Sequence, residues 1–210
     1  MALFSPENRK CLTEPLSANN PITVQVLGVC SSLAVTTSLM NSIVMGIAVT
    51  FVVAASNLMI SIMRKWIPNR VRMIVEMIVI ATMVIFVDQI LKAYMPDVSK
   101  QLSVFVGLII TNCIVLGRLE AFAMNNKPWT ALLDGIGNGL GYTVILIVVG
   151  GVRELFGTGK LLGYEIYQKT PIYEWGYKDN VLMMLAPAAF ILLGLIIWVQ
   201  RTITGYEEKD

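Results

Sequence analysis

The chain has 210 residues, of which 56% are hydrophobic and 14% charged, with a net charge of +2. An ordinary soluble domain carries about 25% charged residues, so this composition belongs in a bilayer and argues against an aqueous catalytic cleft. The small net charge gives no reason to expect a nucleic-acid partner, and the absence of histidine excludes bis-His haem, Zn–His and Ser–His chemistry.

Residues 1–20 read as a polar arm carrying both charge signs, without the basic stub and apolar run of a signal peptide. Residues 21–210 read as one membrane domain in a lipid bilayer. About 20 apolar residues cross a bilayer core, and six spans are expected in chain order. They are Ile22–Ser38, Asn41–Met63, Met73–Tyr94, Leu102–Leu116, Ala131–Phe156 and Val181–Val199. The first and fourth are short. Pro187 is expected to kink the last near its start. The loop with Arg64, Lys65, Arg70 and Arg72 is the strongest positive-inside signal. It places both termini in the cytoplasm, on the side that also holds Arg118 and Lys127. Lys92, Lys100 and the Gly157–Asn180 segment fall on the other side.

The two short spans each open a set of three. Three is odd, so the sets enter the membrane from opposite sides, which is the arithmetic of an inverted repeat. The expected fold is therefore an all-α integral membrane protein of six transmembrane helices in two inverted three-helix repeats. Repeat one covers about 21–95 and repeat two about 100–200.

Both short spans have a polar centre and a cysteine: Gly28, Cys30 and Ser31 in one, Thr111, Asn112 and Cys113 in the other. A membrane cysteine packs well as a small hydrophobe, and Ser, Thr and Asn serve as interhelical hydrogen-bonding glue. Matched placement in two inverted halves suggests more. A disulfide is disfavoured by midplane burial, and a redox dithiol needs exposure and a lowered pKa. A metal site fits better. Iron–sulfur clusters usually take four thiolates, so two would come from another protein, most simply a sibling of the same fold. Backbone N–H groups near Gly28, with Ser31, Thr111 and Asn112, can hydrogen-bond sulfur. Cys11 lies in the polar arm and has no place at the midplane.

Two acids are candidates for an ion path. Asp88 is the deepest, and Lys92 at i+4 offers it a structural partner. Asp134 opens "DGIGNGLGY" and reads first as a helix cap, otherwise as a cation lure at a vestibule. Glu76 is expected to pair with Arg72 at i−4. Gly137 and Gly141 are spaced as a small-residue packing face. Arg118 with Glu120, and Arg153 with Glu154, close helices or dock neighbours.

The strings "NNPITVQVLGVCSSLAVTT", "IPNRVRMIV", "GLIITNCIVLGRLEAFA", "DGIGNGLGY" and "VRELFGTGK" resemble the D subunits of bacterial sodium-translocating NADH:quinone oxidoreductases. The resemblance covers nearly the whole chain after Asn19. It implies that a homologous six-helix protein, the E subunit, packs beside this one in the opposite orientation. Four membrane cysteines then hold an iron centre, described as a [2Fe–2S] cluster, and the two matching positions here are Cys30 and Cys113. Electrons from NADH pass through that centre and through flavins on other subunits of the six-subunit complex to ubiquinone. Sodium is pumped across the bacterial inner membrane. The E subunit of the Rnf-type ferredoxin:NAD oxidoreductases shares most of the motifs and stays open as an alternative. A stand-alone inverted-repeat transporter is the other, since short helices suit it equally.

Overall fold

The computed structural model describes residues 20–68, 70–94, 107–158, 160–161, 164–165 and 185–204. The expectations for Cys11, Lys100, most of the Gly157–Asn180 segment and the starts of the fourth and sixth spans lie outside these residues.

Between turns the described residues form helices and one short antiparallel pair, in which Lys160 faces Glu165 and Leu161 faces Tyr164. Helix α1 spans Val29–Val35, α2 Leu39–Met63 and α3 Arg72–Tyr94. Residues 107–110 are helical, Thr111 and Asn112 break the run, and α4 follows over Cys113–Arg118. A π-helical turn, Leu119–Ala123, continues from it without a gap. Helix α5 spans Pro128–Thr158 and α6 Ala186–Thr204.

Four of these helices, α2, α3, α5 and α6, are long and apolar enough to cross a bilayer. With about 1.5 Å of rise per residue, the 25 residues of α2 give roughly 37 Å. The expected first span, Ile22–Ser38, is not one continuous helix. A hydrogen-bonded turn over residues 20–27 precedes α1, with Val24 and Gln25 N–H donated to the Asn20 carbonyl and Leu27 N–H to that of Pro21. Val26 and Gly28 then take positive φ values of 54° and 80°, a conformation that a β-branched residue rarely adopts. The expected fourth span is broken in the same sense at Thr111–Asn112. Pro187 does not kink α6. It is the second residue of that helix, where the missing N–H had no partner to lose.

The centre of the molecule is the crossing of α2 and α5. Small residues let the two backbones approach. A Cβ on Gly46 would meet Thr143 at 2.5 Å, and one on Gly139 would meet Thr50 at 2.6 Å. The same relation recurs further out: Gly135 faces Ala54 and Asn57, and Gly150 faces Ser42 and Leu39. On α5, close approach to α2 falls at Gly135 and Gly139. Thr50 and Thr143 each donate to the carbonyl four residues back, 2.8 Å in both cases, and their hydroxyls lie 3.2 Å apart.

The outer helices pack less. On α3, Ile74, Ile78, Ile85 and Phe86 are exposed, and on α6 so are Phe190, Ile191, Leu195 and Trp198. These faces have the chemistry of lipid or of a neighbouring membrane subunit.

One dipeptide ties the periphery to the centre. Arg153, fully buried, donates to the Leu33 carbonyl, to Thr36 Oγ1 at 2.7 Å and to the Leu185 carbonyl. Its neighbour Glu154 accepts the Leu39 N–H at 2.5 Å. That carboxylate caps α2, whose own Ser38 makes no side-chain cap, and a negative group there suits the helix dipole.

Candidate metal centre

The two breaks in the short spans meet. Gly28 N–H donates to Cys113 Sγ at 2.8 Å, a short contact for sulfur. Gly28 can make it because its left-handed φ turns the N–H outward from the start of α1, and because it has no side chain. A Cβ there would stand 2.9 Å from the Tyr142 ring. Cys30 follows two residues later on the first turn of α1, and Cys113 is the first residue of α4. Each cysteine therefore sits at the start of a short helix just after a break.

Behind the sulfurs lies a saturated polar network. Ser31 donates its only hydroxyl proton to the Gly28 carbonyl at 3.0 Å. Its oxygen, 2.6 Å from Tyr142 OH, must then accept the tyrosine's proton. It also accepts from Asn112 Nδ2 at 3.0 Å. The Asn112 carboxamide oxygen takes the Ile114 N–H at 3.3 Å and so caps α4. Ser31, Asn112 and Tyr142 are all buried. The network fixes both breaks against each other and against α5.

Cys30 is exposed and Cys113 half-buried, and both are free thiols. Among the described residues no group of three or more His, Cys, Asp or Glu side chains could hold a metal ion. The sulfur donors at the two breaks are thus two thiols, one of them exposed. Half of a four-thiolate site fits this description and a complete one does not.

Of the groups expected to hydrogen-bond sulfur, the Gly28 N–H reaches Cys113, whereas Ser31 and Asn112 bond each other, Tyr142 and the backbone, and Thr111 is exposed at the break. Tyr142 was not anticipated. The signal for it was a tyrosine in the middle of an apolar span, whose hydroxyl needs a partner when buried.

The acids are elsewhere. Asp88 pairs with Lys92 at 2.5 Å, the carboxylate side chain 16% and the ammonium side chain 52% exposed. Asp134 lies inside α5, six residues past its start, so it does not cap that helix. Instead it receives Arg118 through both carboxylate oxygens, Nε to Oδ2 at 3.0 Å and Nη2 to Oδ1, and Asn138 Nδ2 at 3.0 Å. Arg118 also lies over the Phe122 ring, 5.4 Å from its centroid. The expected Arg72–Glu76 pair does not form, because Arg72 turns to Glu120 on the π-helical turn. A tertiary partner has displaced the i−4 neighbour.

Comparison with known proteins agrees with this architecture. The profile of the Rnf-Nqr family, described as "Rnf-Nqr subunit, membrane protein", matches residues 8–197. Three relatives are named as the D subunit of a Na(+)-translocating NADH-quinone reductase. That of Psychromonas ingrahamii is 59% identical over 198 residues, 94% of either chain. That of Proteus mirabilis is 58% identical over 204 residues, 97% of either chain. That of Pseudomonas aeruginosa is 56% identical over 202 residues, 96% of this chain and 90% of the relative. A chain with this coverage and two membrane breaks closed on each other belongs to the Rnf-Nqr family of membrane subunits, on the branch of the D-type proteins.

Proposed function

We propose that this chain is a membrane subunit of a sodium-translocating NADH:ubiquinone oxidoreductase, in which Cys30 and Cys113 supply half of an intramembrane [2Fe–2S] centre. The observation that carries the reading is the Gly28 N–H on Cys113 Sγ. Two breaks 85 residues apart in the chain are folded together so that a backbone donor points at one thiol, and the residue that carries the second follows that donor by two positions. When bound, the cluster supplies one-electron transfer across the low-dielectric core. The chain's own residues hold its sulfurs: α1 and α4 present them, Gly28 donates to one, and Ser31, Asn112 and Tyr142 keep the two breaks in register. The open side at Cys30 suits the homologous E subunit in the opposite orientation, which would bring the other two thiolates. NADH, flavins and quinone bind to other subunits of the complex.

The six-helix, two-repeat architecture belongs to the same proposal and has independent support at the α2–α5 crossing. A shift of 93 residues relates Gly46 to Gly139 and Thr50 to Thr143. Gly46 meets Thr143 while Gly139 meets Thr50, and Gly150 meets Ser42 while Gly135 meets Asn57. Such reciprocal contacts are what a two-fold axis between two copies of one motif requires. In this arrangement both termini lie in the cytoplasm, beside the 64–72 loop, in the inner membrane. Asp88 and Asp134 enter the proposal as places where sodium would exchange with the basic side chain each now holds.

Iron analysis of the purified complex tests the reading. Cys30→Ala and Cys113→Ala should each lose the iron and its visible absorption, and Cys11→Ala should keep both. Full iron content in Cys113→Ala would remove the centre from this chain. A ferredoxin-linked complex would instead reduce NAD with ferredoxin and leave quinone untouched.

A further inference from the structure

Glu76 is fully buried in α3, and neither of its carboxylate oxygens meets a hydrogen-bond donor. Its charged neighbours are Glu120 and Arg72, and its carboxyl lies against that of Glu120. With both groups ionised they are acceptors only, and neither can satisfy the other. Arg72 is committed to one oxygen of Glu120, and the other oxygen, Oε2, is buried without a partner. One guanidinium set against two carboxylates leaves one negative charge, and three oxygens are left unpaired in a small volume.

The place is built to be reached from one side. Arg72 and Glu120 are 34% and 32% exposed at their side chains, while Glu76 behind them is closed off. Glu76 lies four residues into α3, about 6 Å from its start, at the end of the bundle that carries the 64–72 loop. Glu120 stands in the π-helical turn Leu119–Ala123. Such turns are rare and gather at functional positions. Here the wider turn sets Glu120 beside α3 while Arg118, two residues earlier, serves Asp134.

We propose that Glu76 and Glu120 form a binding site for a monovalent cation, sodium in the complex described above, with Glu76 as the buried seat and Glu120 as the exposed lip. A bare sodium ion is a hard cation that takes oxygen ligands, several at once. It would neutralise the remaining charge and coordinate Glu76 Oε1 and Oε2 together with Glu120 Oε2, with water completing the shell from the open side. A single shared proton would bridge only two of those three oxygens. Arg72 holds the lip in place and limits the net charge to that of one ion. The proposal rests on the sodium-translocating reading, and it adds a site distinct from Asp88 and Asp134.

The test is NADH-driven quinone reduction titrated with sodium in the purified complex, with iron content measured on the same samples. Glu76→Gln keeps the shape and removes the charge. It should raise the sodium concentration for half-maximal rate by about tenfold, since cation affinity follows ligand charge, with iron unchanged. Glu120→Gln should shift it in the same direction. Glu76→Asp, which keeps the charge on a shorter stem, should shift it less and covers the case in which the glutamine variant does not assemble. A sodium curve unchanged in these variants, with iron and maximal rate intact, would overturn the site, assign the pair a shared proton and leave the proposed function standing. A wild-type rate indifferent to sodium would break the proposed function itself and the site with it.

Discussion

The two breaks that carry the cysteines do the same task by different means. The first, around Val26 and Gly28, forces the chain through positive φ and depends on glycine. The second, at Thr111–Asn112, stays in ordinary backbone space, with Asn112 at φ −70° and ψ 119°, and uses a side-chain cap. The outcome differs too. Cys113 is half-buried and receives an N–H, whereas Cys30 is exposed. Different local means thus reach one result, the start of a short helix at a cysteine. The asymmetry also assigns the sides: the covered thiol faces this chain's own first break, and the open one faces outward.

The comparison can be broken most completely at the sulfurs, where Cys30→Ala and Cys113→Ala should each remove the iron despite their unequal burial. Retention of iron by one of them would mean that the two halves are not equivalent ligands. Next in size is Gly28→Ala. It adds a Cβ 2.9 Å from the Tyr142 ring at a φ of 80°, a backbone strain of about 1–2 kcal/mol on top of the steric clash. It should lower iron occupancy severalfold, whereas Asn112→Ser, which keeps a capping oxygen and loses only the Nδ2 bond to Ser31, should lower it less. Equal iron loss in both would show that the breaks fail by the same route. Tyr142→Phe removes the proton donated to Ser31 and should cost about 1 kcal/mol. Because both breaks lean on Ser31, the expected signature is a shifted absorption of the centre with iron content near normal, measured by visible spectroscopy. An unchanged spectrum would detach the network from the sulfurs. The smallest effect is expected at Asp88→Ala. Its partner Lys92 is half exposed and can reach water once released, so the sodium requirement should rise only about twofold, within the range of a partly screened ion pair. A sodium titration with no shift would reduce Asp88 to an anchor.

Length alone made three of the long helices legible. Asn41–Met63, Met73–Tyr94 and Ala131–Phe156 became Leu39–Met63, Arg72–Tyr94 and Pro128–Thr158, because twenty or more apolar residues in lipid have few alternatives to a helix. The short spans were legible as unusual but not as broken. Nothing in the side chain of Val26 announces a positive φ, since valine disfavours it, and only packing against the rest of the chain imposes it. The cysteines stood out as candidates because composition left few other residues able to bind a metal, and both fall at the starts of short helices. The polar partners were harder. A helix-face rule assigned Arg72 to Glu76, but Glu120, 48 residues away in the chain, won that arginine, and a local rule carries no information about distant competitors. Asp134 misled for the opposite reason. Its position before a glycine run looks like a cap, yet the helix had already begun at Pro128.

The bond from Leu39 N–H to Glu154 joins residues 115 apart, and that separation becomes time during synthesis. Chains grow at about 5–20 residues per second, so α2 would emerge from the ribosome roughly 6–23 s before the carboxylate that closes its first turn. Over that interval its leading N–H groups have only interfacial water to bond. The start of α2 is thus completed only when the second half of the chain delivers the residue that secures it.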